Sequence, residues 1–369
     1  MDKFTIGNIP TLNPFEVQNV LFKMYASAIN KNISFSTLPS VMIWGQPGVG
    51  KSQTIHNLAK EIEGLGKKCN VTDVRLILFN PIDLRGIPTS NEDKTLAIWL
   101  KPKIFEMDES DDTVNILFLD EISAAPQSVQ AAAYQITLDH TIGEHKLPKN
   151  CIVIAAGNRI TDKSVAYQMP KALSNRLLHI EMISNIDSWH TWAISKGIHP
   201  YVTGFLRFKP DYLNTFNPQD NGMVFATPRS WEMASNVLNT VSDDFKVVFP
   251  LLAGILGIGI ATELKTWAKV FSKLPDIEAI FKGTETKVPK DLDVLYALIS
   301  SMTSYAYTHR DDMDLIENSI NYANLLPPDY SLVLLKDYLY LEKDYKLKLI
   351  KIPLFRKWLE SKGKLINEA

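Results

Sequence analysis

The sequence predicts an α/β protein, with a parallel β-sheet packed between layers of helices and an all-helical region after it. Three observations point there. Short apolar runs without polar alternation recur through the first half, helical patterns fall between them, and strand signals stop after about residue 185. Unalternating apolar runs suit strands buried on both faces, the situation in a parallel sheet covered by crossover helices.

The runs, in order, are Val41–Trp44, Val74–Phe79, Asn115–Asp120, Cys151–Gly157 and Leu177–Met182, each four to seven residues long. Between the first two, Ile55, Leu58, Ala59 and Ile62 share one face of a helix over Lys51–Glu63, which Gly64 and Gly66 stop. Beyond the last strand, Asn185–Lys196, Ser230–Val241, Leu251–Phe271, Asp291–Thr308 and Ser331–Leu341 read as helices. Pro210, Pro218, Pro275, Pro289 and the Pro327–Pro328 pair separate them. Leu292, Leu295, Tyr296, Ile299 and Met302 line one face of the fourth. A boundary near Ser184–Asp187 gives a core over 1–184 and a helical domain over 185–369.

Composition narrows the function. The 369 residues carry 39 Lys and Arg against 41 Asp and Glu, a formal charge of −2, which argues against a globally basic nucleic-acid binder. With 46% hydrophobic and 22% charged residues the chain is an ordinary folded one. Cys69 and Cys151 fit neither a disulfide framework nor a zinc pattern. The first ten residues hold no apolar export run. The apolar, uncharged stretch Val247–Thr262 has 16 residues, includes Pro250, and falls short of a bilayer span. It reads as a buried helix in which close packing explains the glycines of Gly254-Ile255-Leu256-Gly257-Ile258-Gly259. A cytoplasmic protein is expected. Asp108–Asp112 is read as a solvated acidic loop rather than a metal site.

The chemistry is concentrated at a few positions. Gly45-Gln46-Pro47-Gly48-Val49-Gly50-Lys51-Ser52 fits G-x-x-x-x-G-K-[ST], with an apolar strand before it and an amphipathic helix after it. Glycines let successive N–H groups curl around an anion at a helix N-terminus. Lys51 is placed to reach β- and γ-phosphates and Ser52 to ligate Mg²⁺, and Gln53 completes the candidate nucleotide-binding stretch. The fold expected is therefore a P-loop NTPase: a three-layer αβα core with a parallel sheet, then an all-α lid.

Asn115–Asp120 followed by Glu121 is a buried strand ending in two acids, a Walker B arrangement. Asp120 is the second candidate Mg²⁺ ligand, and Glu121 is either the base that polarises water or a structural acid. Asn158 follows the next strand, where its amide either holds that water or makes a turn. Arg176, just before the last strand, and Arg229, at a helix start beside Pro228, are either solvated charges or groups that meet a γ-phosphate. Arg159, one residue past Asn158, is the reserve candidate for the same task.

Taken in order, these motifs resemble the AAA+ ATPases, and specifically the MoxR-type group of the magnesium chelatase-related clade. Asp83–Pro88 through Trp99–Pro102 is similar to that clade's insertion in the second helix. Thr141–Pro148 is similar to its β-hairpin before sensor 1, with Gly143 at the turn. The resemblance covers about residues 38–235. It implies Mg²⁺-dependent ATP hydrolysis with Asn158 as sensor 1, Arg176 as the arginine finger acting on a neighbouring subunit, and Arg229 as sensor 2. The family has an acidic residue and Phe around the finger, where this chain has Asn175 and Leu177. The resemblance further implies a ring, a homo-hexamer, that remodels a protein client, often a partner with a von Willebrand factor A domain.

A nucleic-acid-directed motor or restriction-type NTPase is the alternative. Its local support is the basic set Lys346, Lys348, Lys351, Arg356, Lys357, Lys362 and Lys364 with Phe355 and Trp358 interleaved. Docking of a terminal helix by those aromatics is the favoured reading, so a nucleic-acid partner is not expected. A nucleotide-gated scaffold with little turnover is the third class, and the Asp120, Glu121 and Asn158 set argues against it. His140 and His145 lack metalloprotease spacing.

Overall fold

The computed structural model of the chain describes residues 7–162, 169–241 and 245–367. Two compact units result, one running to Ser184 and including Asn217–Asn221, the other made of Asn185–Phe216 and the chain from Gly222 on. In chain order the strands are β1 (Thr11–Leu12), β2 (Val41–Trp44), β3 (Lys68–Arg75), β4 (Ile87–Ser90), β5 (Ala97–Leu100), β6 (Thr113–Asp120), β7 (Thr141–Ile142), β8 (His145–Lys146), β9 (Cys151–Gly157) and β10 (Leu178–Met182). Six of them form one parallel sheet in the order β1-β10-β2-β9-β6-β3.

The helices of this unit are α1 (Pro14–Asn30), α2 (Lys51–Glu63), α3 (Pro81–Arg85), α4 (Gln127–Asp139) and α5 (Lys171–Ser174). Alternate strand residues feed two cores. Val41, Ile43, Ile116, Phe118 and Ile154 pack with Leu21 of α1 and Ile55 and Leu58 of α2. Met42, Leu117, Leu119, Val153 and Ala155 pack with Val129, Ala133 and Ile136 of α4 on the other face. Both faces are covered, so the strands need apolar residues at every position. This is the three-layer αβα core expected of a P-loop fold, followed by a helical region.

One strand differs from expectation. The run Val74–Phe79 belongs to β3 only as far as Arg75, and Leu76–Leu78 form a 3₁₀ turn with Leu78 74% exposed. β3 is an edge strand paired only with β6, so its N-terminal half carries polar residues that hide it from an apolar-run reading. β1 and α1 are additions to the sequence reading. Asn13 caps α1 through bonds from the Phe15 and Glu16 N–H groups, while the Glu16 carboxylate accepts from the Asn13 N–H. Two antiparallel hairpins, β4–β5 and β7–β8, leave the sheet; Gly143 turns the second at φ +57°.

The acidic run is a hydrogen-bonded turn: the Asp108 carboxylate accepts from the Ser110 N–H and hydroxyl, and Lys68 pairs with it. Hydrogen bonds from Ser110 hold the Asp108 carboxyl well below the usual range.

The second unit contains α6 (Ile186–Ser195), α7 (Pro200–Phe208), α8 (Pro228–Val241), α9 (Phe245–Leu256), α10 (Ile258–Ala268), α11 (Ile277–Phe281), α12 (Leu292–Thr308), α13 (Met313–Ala323), α14 (Pro328–Tyr338), α15 (Lys346–Leu349) and α16 (Pro353–Asn367). α7, α12 and α14 are joined by a buried ion pair, Arg207 Nη2 to Asp337 Oδ2 at 2.6 Å, with the Thr303 hydroxyl donating to the same carboxylate at 3.0 Å. Phe355 of α16 is fully buried against this bundle, with Trp358 packed beside it. Lys362 and Lys364 lie outside the described side chains. No helix among the described residues is long and apolar enough to cross a membrane.

The helix expected over Leu251–Phe271 is broken, and close packing does not account for its glycines. Gly257 sits between α9 and α10 at φ +87° and ψ 151°, a backbone region essentially closed to other residues. Gly254 and Gly259 have nothing within 4 Å of an added Cβ. Opposite signs are therefore expected on substitution. Gly257→Ala should lose about 1–3 kcal/mol of stability, whereas Gly254→Ala should gain roughly 0.5–1 kcal/mol by removing helix-interior glycine. Urea unfolding of the two variants checks this, and equal shifts would contradict it.

Candidate active site

Strand register assembles the site. Trp44 at the end of β2 lies opposite Gly157 at the end of β9, and β9 runs beside β6, which ends at Asp120. The turn after β2, the acid ending β6 and the amide after β9 therefore open on one edge of the sheet, where open α/β sheets bind ligands.

Gly45–Gly50 form the turn. The Gly45 N–H donates to Gly157 O at 3.2 Å, and a Cβ at position 45 would stand 2.7 Å from Met182 O. Gly48 and Gly50 take left-handed backbone at φ +77° and +101°. Gly50 is the N-cap of α2 and supplies no side-chain cap, so the first-turn N–H groups are left for a ligand. Val49 is buried beneath the turn, and Gln46 is buried too. Gln53 is exposed and donates along its own helix to Asn57 Oδ1 at 3.0 Å.

Lys51 Nζ donates to Gly45 O at 2.7 Å, Gln46 O at 3.1 Å and Asn158 Oδ1 at 3.0 Å. Ser52 Oγ donates to Asp120 Oδ2 at 3.0 Å, and Asp120 Oδ1 accepts the Glu121 N–H at 2.8 Å. Lys51 is thus tied directly to Asn158, and Ser52 to Asp120. The Asp120 charge is felt on β3: burial first, and then Asp120, raises the Asp73 carboxyl above its usual range. Ser52 and Asp120 offer a hydroxyl and a carboxylate side by side, a hard oxygen pair of the kind Mg²⁺ takes, so the residues present fit that ion.

Glu121 adopts φ +58°, a left-handed conformation costing a non-glycine residue about 1–3 kcal/mol. What holds it there was not legible in the motifs. The next residue, Ile122, donates its N–H to Ala156 O at 3.0 Å, and buried Ser123 Oγ accepts the Asn158 N–H at 2.9 Å. The Glu121 turn and Asn158 are therefore fixed to each other. Gly157 permits the approach, since a Cβ there would lie 2.8 Å from Ser123 Oγ.

Arg159 is a correction. It is 2% exposed and cannot serve as a reserve finger. Its Nε and Nη2 donate to Asp162 Oδ1 at 3.0 and 2.8 Å, and Nη1 donates to Glu181 Oε1 at 2.8 Å. It anchors the loop after Asn158 to β10. Arg176 is exposed in the turn between α5 and β10, and Arg229, also exposed, lies in the first turn of α8. That helix begins at Pro228, where Thr227 and Ser230 exchange reciprocal side-chain and backbone hydrogen bonds.

With this geometry in place, residues 40–179 match the family described as "ATPase family associated with various cellular activities (AAA)". This segment is an AAA-type ATPase domain. No curated protein sequence matches the chain. Among solved structures, a mutant of Thermotoga maritima RuvB aligns at 16% identity and TM-score 0.37, over 79% of this chain and 83% of that one. Brucella abortus NtrX in complex with ADP aligns at 13% identity and TM-score 0.35, over 91% of this chain and 68% of that one. Likenesses this distant add nothing to the site.

The protein is an ATPase in which the loop after Asn158 is held by the Arg159 ion pairs. Replacing Arg159 with Ala should leave Asp162 and Glu181 as poorly compensated buried charges and cost about 3–5 kcal/mol of unfolding free energy. Denaturant titration measures this, and an unshifted midpoint would show the ion pairs to be dispensable.

Proposed function

We propose that the chain is a MoxR-type AAA+ ATPase that works as a ring, a homo-hexamer, and couples Mg²⁺-dependent ATP hydrolysis to remodelling of a protein client. A partner with a von Willebrand factor A domain fits that role. The observation that carries the reading is the pairing of Lys51 with Asn158 and of Ser52 with Asp120 at one sheet edge, with Glu121 fixed beside them.

On this reading the unit ending at Ser184 binds nucleotide and the helices from Asn185 form the lid. The 45–53 turn cradles the phosphates through its N–H groups. Lys51 exchanges its bonds to Gly45 O, Gln46 O and Asn158 Oδ1 for β- and γ-phosphate oxygens. That exchange frees Asn158 Oδ1 to accept from the attacking water. Ser52 and Asp120 would hold Mg²⁺, which when bound neutralises charge developing on the phosphates. Glu121 takes a proton from the water as its oxygen bonds to the γ-phosphorus and the bond to the ADP oxygen breaks. Arg229 reports γ-phosphate occupancy to the lid, and Arg176 stabilises transition-state charge in the neighbouring subunit.

Two features support the choice of client and compartment. Phe355 is buried in its own bundle and so is not offered for base stacking, which weighs against a nucleic-acid-directed motor. Cys69 and Cys151 are free thiols, in keeping with the reducing cytoplasm.

The test is complementation. Lys51→Ala and Arg176→Ala are each expected to be inactive, the latter by about 10³-fold or more. Mixed rings contain interfaces with an intact phosphate loop facing an intact Arg176, so turnover should partly return. Mixed rings that form yet stay inactive, or an active Arg176→Ala, would refute the shared site.

A further inference from the structure

We propose that His179 is a positioning residue that ties the Arg176 turn to the strand feeding the phosphate loop. The inference rests on the reading of Arg176 as the residue completing a neighbour's site.

Trp44 is the last residue of β2, one position before Gly45. Its indole Nε1, which can only donate, gives its hydrogen to His179 Nδ1 at 2.9 Å. Nδ1 is therefore bare and the imidazole proton resides on Nε2. That nitrogen donates to Ser174 O at 2.7 Å. The two rings lie edge to edge in nearly one plane, with centroids 6.1 Å apart and planes 12° from parallel. One half-buried imidazole thus uses one edge on the phosphate-loop strand and the other on the last residue of α5.

α5 has only four residues, too few to hold its own conformation. Its end is weakly closed from within, because the Leu177 N–H reaches Ser174 O at a long 3.3 Å. His179 supplies the short bond to that carbonyl, two residues before Arg176. Its tautomer is set from the far side by Trp44. Anything that shifts the end of β2 is passed by this ring to the Arg176 turn.

A simple packing role for the ring on β10 predicts something different. His179→Phe keeps an aromatic ring beside Trp44 and removes the hydrogen bonds to Trp44 and Ser174. In the full-length protein we expect ATP binding at the wild-type level and turnover lowered about tenfold or more, the scale of one or two lost hydrogen bonds. The loss should act in trans. His179→Phe mixed with equal Lys51→Ala should regain turnover, because the Lys51→Ala subunits present a well-held Arg176 to intact phosphate loops. Trp44→Phe, which leaves His179 in place without its donor, should show a smaller loss and the same recovery. It also serves as the readout if His179→Phe does not assemble.

The Arg176→Ala and Lys51→Ala mixture is the control. If the control recovers while the His179→Phe and Trp44→Phe mixtures do not, His179 serves its own phosphate loop and the inference is overturned. Wild-type turnover in His179→Phe overturns it equally. If the control itself fails, the shared-site reading has failed and this inference falls with it.

Discussion

The register of the parallel sheet is the constraint on which the site depends. β2, β9 and β6 lie side by side with their carboxyl ends on one edge, so Gly45, Asn158 and Asp120 need no long side chains to meet. A slip of one residue would move every side chain of a strand to the opposite face and exchange the two cores that sandwich the sheet. The packing of Ile43 and Phe118 on one face, and of Met42 and Leu119 on the other, thus enforces the distances at the nucleotide edge.

A second layer of fixing sits on that register and is made of polar contacts. Ser123 holds the Asn158 backbone, Ile122 bonds to β9, and Arg159 pins the following loop to β10 through Asp162 and Glu181. These contacts hold Glu121 in a left-handed conformation that the chain alone would avoid. Pre-organisation of this kind suits a reaction in which placing water against a phosphate is most of the work. The Lys51 contact to Asn158 Oδ1 adds a link between phosphate binding and the residue proposed to hold the water.

Much of the core was legible in the sequence, for a physical reason. β2 and β9 are central strands, apolar at every position and bounded by polar turns, so Val41–Trp44 and Cys151–Gly157 could be read to the residue. The edge strand β3 could not, because half of it carries polar residues while the apolar Leu76–Leu78 run on past it. The break at Gly257 was hidden by the assumption that glycines in an apolar helix serve packing. At the site, the motif residues were visible as residue types at known spacing. Ser123 and the Arg159 partners were not, since a small residue after Glu121 and an acid 22 positions from Arg159 carry no local pattern.

The central claim is that Glu121 acts on water while Lys51 and its loop hold the nucleotide. The most direct test is to follow the fate of bound ATP in Glu121→Gln with Mg²⁺ present. The account predicts that the variant retains intact ATP at about the wild-type affinity and releases phosphate at least roughly two orders of magnitude more slowly, the scale of general-base catalysis. Phosphate release at the wild-type rate would contradict it and leave Glu121 a structural acid.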